Sequence, residues 1–150
     1  MCCSKSWLTI GAVLAGLAVV LGAFAAHGLD TYFAEKYATA SPKTVAGFSV
    51  PASWKYLQDF KTGVEYQMYH ALGLVAVGVL SLSQPRRALQ FAGWSFLLGI
   101  VFFSGSLYAL ALTGETRFGM VAPIGGVLFI VGWLSLAAAV LPCSIATKSE

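Results

Sequence analysis

Long apolar stretches without charged side chains alternate with short polar segments along this chain. No Asp, Glu, Lys or Arg occurs in residues 6–29, 66–85, 88–114 or 118–147. A helix that crosses the hydrocarbon core of a bilayer needs about 20 mainly apolar residues, and each stretch reaches that length. The pattern therefore predicts an all-α integral membrane bundle of four transmembrane helices. Its spans are expected near residues 7–27, 63–83, 88–112 and 119–141.

The first stretch has two interpretations. Lys5, the apolar run after it and the small residues at 23–26 resemble a secretory signal with its cleavage site. The run is long for such a signal, however, and small residues recur at helical spacing at Gly11, Ala15, Ala18 and Gly22. Small residues at that spacing let membrane helices approach closely. We therefore expect a retained helix.

Residues 28–62 are the extramembrane segment of the predicted bundle. Their middle part, residues 38–53, is rich in Ala, Ser, Thr, Pro, Gly and Val, which predicts a long loop between helices 1 and 2. Apolar residues then recur every three to four positions at Trp54, Leu57, Phe60 and Val64. Two interpretations of this stripe stay open: an interfacial helix that runs into the second span, or an early start of that span.

Composition supports a lipid environment and argues against several classes of function. Hydrophobic residues make up 58% of the chain and charged residues 10%, whereas soluble domains carry about 25% charged residues. The net charge is only +3 and the basic residues are scattered, so nothing favours nucleic-acid binding. Cys2, Cys3 and Cys143 lack metal-ligand spacing and are interpreted as free thiols, with lipidation of Cys2 or Cys3 as the alternative. No cofactor is predicted.

Short loops carry the information about orientation. Arg86 and Arg87 form a tight basic turn between helices 2 and 3, and Lys5 and Lys148 fall on the same side. The positive-inside rule counts Lys and Arg, and the totals are close, with four on this side and five on the other. The Arg pair in the shortest loop decides the prediction. We expect a multi-pass protein of the bacterial plasma membrane with both termini in the cytoplasm.

Polar residues of the four spans gather at one end of the predicted bundle, because neighbouring spans run antiparallel. Polar groups inside a membrane are expensive and usually face the bundle interior or water. We therefore predict a hydrogen-bonded polar cluster around His70, at the end away from the basic turn. The candidate members are His27, Glu65, Tyr66, Gln67, His70, Ser104, Ser106, Tyr108 and Thr113. The residues assigned to helix packing and turns are Gly22, Pro123, Gly125 and Gly126.

The chemistry of this cluster has several interpretations. His70 is most simply a neutral core histidine bonded to a Tyr or Ser, and a proton relay through His70 and Glu65 is a second possibility. His27 alternatively closes helix 1, where a cation meets the negative end of the helix dipole. A metal site needs three or four ligands; two histidines and one glutamate could begin one, and this interpretation ranks below the proton relay. No Ser lies in a hydrolase pattern such as G-x-S-x-G, so no catalytic or metal residue is predicted.

Motifs at these positions resemble a known family. They are Gly22-Ala-Phe-Ala-Ala-His27-Gly28, Tyr66-Gln67-Met-Tyr-His70-Ala-Leu, Ser104-Gly-Ser-Leu-Tyr108-Ala-Leu-Ala-Leu-Thr113-Gly114, Pro123-Ile-Gly-Gly126 and Gly132-Trp133. In this combination and order, the chain resembles the YgdD-like family of small membrane proteins, a domain-of-unknown-function family similar to the animal transmembrane protein 256 type. The resemblance implies a multi-pass membrane protein with a retained first helix and no assigned catalytic residues. The segment between helices 1 and 2 departs from the usual family pattern, because it is longer at about residues 36–56.

Size, four spans and the lack of a soluble domain favour a non-enzymatic membrane component, such as an accessory subunit, an assembly factor or a scaffold. Its expected partners are the lipid bilayer and other membrane proteins or further copies of itself. The alternative is a small oligomeric transporter or channel with a polar site around His70. A membrane-embedded enzyme acting on a lipid or quinone ranks last, because the sequence contains no recognised nucleophile or metal motif.

Overall fold

Four long apolar helices dominate the computed structural model, which describes residues 2–141 and the side chains from residue 5 onward. The helices that are long and apolar enough to cross a membrane are Lys5–His27, Ala52–Ser83, Arg87–Thr113 and Thr116–Val140. Their positions confirm the predicted membrane bundle of four helices. The side chains of Cys2 and Cys3, and the whole of Cys143 and Lys148, lie outside the described part of the chain.

Helices and one small hairpin follow one another along the chain. The first half contains α1 (Cys2–His27), α2 (Leu29–Lys36), β1 (Lys43–Val45), β2 (Phe48–Val50) and α3 (Ala52–Ser83). The second half contains α4 (Arg87–Gly99), a π-helical stretch called here the π segment (Ile100–Ser104), α5 (Gly105–Thr113), a 3-10 turn (Thr116–Met120) and α6 (Ala122–Val140). The third span therefore combines α4, the π segment and α5.

The segment between the first two spans is folded, where the sequence predicted a loop. Strands β1 and β2 pair antiparallel, with Val45 opposite Phe48 across a two-residue turn. The turn residues Ala46 and Gly47 have φ values of 50° and 84°. Two positive φ values are typical of the hairpin turns that match strand twist, where Asn-Gly is the usual sequence. Because Ala46 departs from that signature, the hairpin was not evident from the sequence.

Helix α3 begins at Ala52 rather than at residue 63, which was the predicted start of the second span. Of the two interpretations of the Trp54 stripe, the structure shows an unbroken helix. It has 32 residues and is therefore about 48 Å long, longer than the hydrocarbon core of about 30 Å. The helix is thus longer than one span requires, and α2 packs against it.

Helix α3 lies at the centre of the bundle. Helix α1 packs along one side of it, the third span packs along another, and α6 packs on α4 and the π segment. Small residues permit the close approach of α1: a Cβ on Gly11 would lie 2.8 Å from the carbonyl oxygen of Ala71. Ala18 and Ala25 are buried on the same side of α1. The packing role predicted for the small residues of the first span thus holds for Gly11 and Ala18, whereas Ala15 and Gly22 are only half-buried.

Two apolar cores fill the bundle. The core near the basic turn contains Trp7, Leu74, Phe96, Phe129 and Leu136. The other core contains Phe33, Phe60, Leu107, Leu110 and Ala111, so it combines α2 with α3 and α5. The extramembrane segment therefore packs into the same apolar core as the spans.

Candidate intramembrane polar site

Gln67 joins three helices in the interior of the bundle. Its side chain is 2% exposed. The amide nitrogen donates to the carbonyl oxygen of Leu14 in α1, and the amide oxygen accepts from the hydroxyl of Tyr108 in α5, each at 2.9 Å. Both ends of the amide are therefore satisfied, one on each side of α3. A buried polar group satisfied in this way fixes the arrangement of the helices that it bridges.

Gly63 leaves the space that Tyr108 needs to reach Gln67. A Cβ at position 63 would lie only 2.8 Å from Cε1 of the Tyr108 ring. The same ring packs against Phe60, with ring centroids 4.8 Å apart. The close approach of α5 to α3 at this level thus depends on a residue without a side chain.

His70 lies in an aromatic slot between α3, α4 and α6. Its Nδ1 is 2.7 Å from the carbonyl oxygen of Tyr66 and donates a hydrogen bond to it. The imidazole stacks on Phe129, with ring centroids 3.3 Å apart and planes at 7°. Phe96 and Trp133 complete the slot, with centroids 5.7 and 6.1 Å from the imidazole. This geometry agrees with a packed core histidine, although the hydrogen-bond partner is a backbone carbonyl rather than a Tyr or Ser hydroxyl.

The single hydrogen-bonded cluster predicted around His70 does not form. Glu65 is exposed and accepts a hydrogen bond from the hydroxyl of Tyr69 at 3.3 Å. His27 is exposed on the outward side of α1, beside Phe24. The prediction was wrong for these two residues because the rotation of each helix about its axis turns them away from the bundle interior.

The hydroxyl-bearing residues of the third span are also separate from His70. Ser106 and Thr113 each donate to a backbone carbonyl of their own helix, at 2.9 and 2.6 Å. Ser104 is fully buried, and its Oγ has no hydrogen-bond partner among the described residues. Tyr66 is 38% exposed and stacks on Phe103, with centroids 4.5 Å apart. Among the described residues, Gln67 and Tyr108 are the predicted members whose side chains bond to each other.

The residues predicted to serve helix packing and turns differ in how closely they contact neighbouring helices. A Cβ on Gly125 would lie 2.4 Å from the backbone nitrogen of Phe103, so Gly125 permits α6 to pack on the π segment. A Cβ on Gly126 would meet nothing within 4 Å, so the close-contact prediction is wrong for this residue. Pro123 lies in the first turn of α6 as predicted, and Gly22 faces α3.

A group of side chains that no sequence pattern indicated closes the C-terminal end of α5. The Tyr37 hydroxyl donates to the carbonyl oxygen of Ala111 at 2.8 Å, and Lys36 Nζ donates to that of Leu112 at 2.5 Å. The last carbonyls of a helix lack intrahelical partners, and a cation is favourable beside them. Partial burial raises the pKa of Tyr37 above its usual value, and two neighbouring tyrosines raise it further. The hydroxyl therefore stays a donor into alkaline pH.

Arg86 closes the end of α6 on the opposite side of the molecule. Its Nη1 donates to the carbonyl oxygen of Ala139 at 2.7 Å and lies 3.5 Å from that of Leu141. The neighbouring Arg87 is exposed. A basic residue in a short turn predicted an orientation in the membrane, but nothing in the sequence indicated which helix end it would meet.

Residues 5–141 provide no recognisable set of metal ligands. No group of three or more His, Cys, Asp or Glu side chains in this part of the chain is arranged to hold a metal ion. His27 and His70 lie in separate surroundings, the first on the outward side of α1 and the second against Phe129. The described geometry supports helix packing at the two buried side chains Gln67 and His70.

Comparison with known proteins identifies relatives over most of the chain. The family model described as "Protein of unknown function (DUF423)" matches residues 21–126, which include the whole segment between the first two spans. The chain is 44% identical over 132 residues to a UPF0382 membrane protein of Staphylococcus saprophyticus, covering 88% of this chain and 93% of that protein. It is 40% identical over 136 residues to the UPF0382 membrane protein YwdK of Bacillus subtilis, covering 90% and 95% of the two chains.

A UPF0382 membrane protein of Haemophilus influenzae is 39% identical over 134 residues, covering 89% of this chain and 91% of that protein. No solved structure matches the chain. The matches confirm the resemblance to a family of small membrane proteins that the motifs around Gln67 and His70 indicated. The chain belongs to the DUF423 (UPF0382) family of bacterial membrane proteins of unknown function.

Proposed function

We propose that the protein is a non-enzymatic component of the bacterial plasma membrane, an accessory subunit or scaffold that holds a partner membrane protein. The proposal rests on how the buried polar side chains are bonded and packed. Gln67 is bonded at both ends to neighbouring helices, and His70 is packed face to face against Phe129. Side chains engaged in this way stabilise one arrangement of helices, which is what a scaffold requires.

The outward side of α1 is the surface that we assign to the partner. Only 17% of the most apolar part of the first span is buried, compared with 28 to 44% for the other three spans. Val13, Val19 and Phe24 on this side are each more than 60% exposed, and a Cβ on Gly16 would meet nothing within 4 Å. A glycine among larger apolar residues lets a second membrane helix approach closely. The proposed occupant is a transmembrane helix of another protein.

Photocrosslinking in cells tests this assignment. A photoreactive amino acid at Val20, which is 50% exposed on the outward side of α1, should give an adduct with one discrete protein. The matched control is Ile130 of α6, which is 61% exposed and should give lipid adducts only. Lipid adducts from both positions, together with recovery of a lone protein in mild detergent, would contradict the proposal. An adduct with a second copy of the chain would assign the face to self-association instead.

The proposal includes an orientation with both termini in the cytoplasm. Arg87 is exposed in the turn between α3 and α4, and Lys5 is exposed at the same end of the bundle. Lys and Arg in short loops favour the cytoplasmic side. The folded segment that contains α2 and the hairpin then faces the outside of the cell.

A small oligomeric transporter or channel is the second candidate function. One observation favours it: Nε2 of the buried His70 has no hydrogen-bond partner in the described part of the chain, and such a nitrogen can accept a proton. Flux into proteoliposomes separates the two candidates. His70→Phe keeps the stack on Phe129 and removes the nitrogen, so flux that is present in the native protein and lost in this variant would overturn the scaffold proposal. Absence of flux in the native protein would eliminate the transporter.

A further inference from the structure

An amphipathic groove lies on the surface between the C-terminal half of α1 and α3, toward the extramembrane segment. Its volume is about 500 Å³. Helix α1 contributes only the small residues Gly22 and Ala25, which keeps the groove open. The lining residues from α3 are Gln58, Lys61, Val64, Glu65 and Met68. The groove therefore has charged side chains toward one end and apolar side chains toward the other.

The position of these residues along α3 sets their depth in the membrane. A hydrocarbon core of about 30 Å corresponds to about 20 helical residues. Counted back from Ser83, where α3 ends, this length reaches Val64. Met68 then lies inside the hydrocarbon, Glu65 at its boundary, and Lys61 about one turn outside it, in the headgroup layer. The groove crosses the boundary between lipid headgroups and acyl chains.

Lys61 and Glu65 face this groove without pairing with each other. On the same helix, Lys55 and Asp59 have the same order and spacing and do form an ion pair, so the spacing does not prevent pairing. Glu65 instead accepts from the Tyr69 hydroxyl at 3.3 Å, which leaves other acceptor positions of the carboxylate open. Lys61 has no ion pair or hydrogen bond to any described residue. One groove thus presents a separate positive and a separate negative group.

We propose that the groove binds a phospholipid whose headgroup contains a phosphate and a primary ammonium, as in phosphatidylethanolamine. Lys61 contacts the phosphate, and Glu65 accepts hydrogen bonds from the ammonium. Side chains one helical turn apart lie about 5–6 Å from each other at Cβ, which suits two charges joined by a short ethanolamine linker. The acyl part of the lipid packs against Gly22, Val64 and Met68. Lipid binding here does not depend on the scaffold function or on a partner at α1.

An anionic headgroup without an amine fits the same groove less well. The carboxylate of Glu65 repels a second negative charge, and Lys61 alone offers one cation. A quaternary ammonium carries the right charge but cannot donate hydrogen bonds to the carboxylate. The expected order of preference is therefore the primary-amine lipid first and phosphatidylglycerol last.

Native mass spectrometry of the full chain, reconstituted in nanodiscs with equal amounts of phosphatidylethanolamine and phosphatidylglycerol of matched acyl chains, tests the proposal. The native protein should retain the amine lipid about two- to fivefold more than the anionic one, the range that corresponds to one well-placed exposed charge pair. Glu65→Gln should bring the two lipids to nearly equal retention, and Lys61→Gln should lower the retention of both. Equal retention by the native protein, or an unchanged preference in Glu65→Gln, would overturn the proposal.

Matched controls exist on the same side of the molecule. Glu115 and Arg117 form an exposed ion pair at 3.6 Å and do not line the groove, so Glu115→Gln and Arg117→Gln should leave lipid retention unchanged. Equal unfolding temperatures of the four variants show that the fold is intact. Soluble phosphoethanolamine at the same concentration should not displace the lipid, because it lacks the acyl chain. Displacement would assign the site to a soluble phosphate ester and contradict the lipid proposal.

Discussion

Gln67 connects three membrane helices through hydrogen bonds of its side chain. Its amide reaches α1 through Leu14 and α5 through Tyr108, while its own backbone belongs to α3. A buried donor or acceptor that loses its partner keeps the full desolvation penalty. The stability of the bundle should therefore respond more to this one amide than to the exposed charges of the same helix.

Replacing Gln67 with leucine should lower the free energy of unfolding by about 1–2 kcal/mol, because the Tyr108 hydroxyl stays buried without its acceptor. Tyr108→Phe alone should also cost about 1–2 kcal/mol, because the buried amide oxygen of Gln67 loses its donor. The double variant should be at least as stable as Gln67→Leu, since it removes the unpaired hydroxyl. Reversible unfolding in bicelles measures all three, and losses that simply add would contradict the proposed coupling.

Reasoning from helical faces identified the polar residues but not the direction in which they point. Tyr66 and His70 are four residues apart and share a face of α3, and their rings lie 6.0 Å apart. The same reasoning counted Glu65 as inward, whereas this side chain is exposed. Neighbouring positions differ by about 100° around a helix, so the boundary between inside and outside depends on the rotation of α3. Packing against three other helices sets that rotation, and a single sequence does not contain it.

At the scale of elements, the spans were predictable because the bilayer requires charge-free stretches of a certain length. The start of α3 was not predictable, because the bilayer criterion detects only the part of a helix inside the hydrocarbon. Lys55 and Asp59 lie on the first turns of α3, in the part of the helix that precedes the charge-free stretch of residues 66–85. The π segment was also not predictable from the sequence, because its residues Ile100–Ser104 are as apolar as the α-helices on either side.

The junction between α6 and the π segment provides a sharp test of helix packing. Gly125→Ala should lower the free energy of unfolding by about 1–3 kcal/mol, because the new methyl group would collide with backbone at Phe103, which has no alternative rotamer. Gly126→Ala is the matched control: it faces open space and should be neutral or stabilise the helix by up to about 1 kcal/mol. The two variants are compared by thermal unfolding in detergent. Similar losses in both would show that helix propensity, not close packing, governs this site.

The two ends of the whole molecule are built differently. At one end the basic turn holds α6 through Arg86, and Arg87 is left as an exposed charge. At the other end α2 and the hairpin lie over the end of α5, which Lys36 and Tyr37 close. Because Arg86 is engaged in a helix cap, Arg87 and Lys5 are the exposed cations of this end among the described residues, and we expect them to oppose its transfer across the membrane.

Cysteine labelling in cells measures the resulting orientation. In a background with Cys2, Cys3 and Cys143 replaced by serine, a single cysteine at Ser41 or Arg117 should react with a membrane-impermeant maleimide in intact cells. Both positions are exposed at the end that carries the hairpin. A single cysteine at the exposed Gln84, in the basic turn, should react only after permeabilisation. The reverse pattern would show that the termini lie outside the cell.

Arg87→Glu tests whether the positive charge of the basic turn determines the orientation. The substitution leaves the bond between Arg86 and Ala139 in place, so the fold should remain stable while the cationic bias of the turn falls. The expected result is a larger fraction of molecules in which Gln84 is labelled in intact cells. Arg86→Gln should instead lower the unfolding temperature, because the C-terminal carbonyls of α6 lose their donor. If both substitutions changed orientation equally and neither changed stability, the cap on α6 would have no structural role.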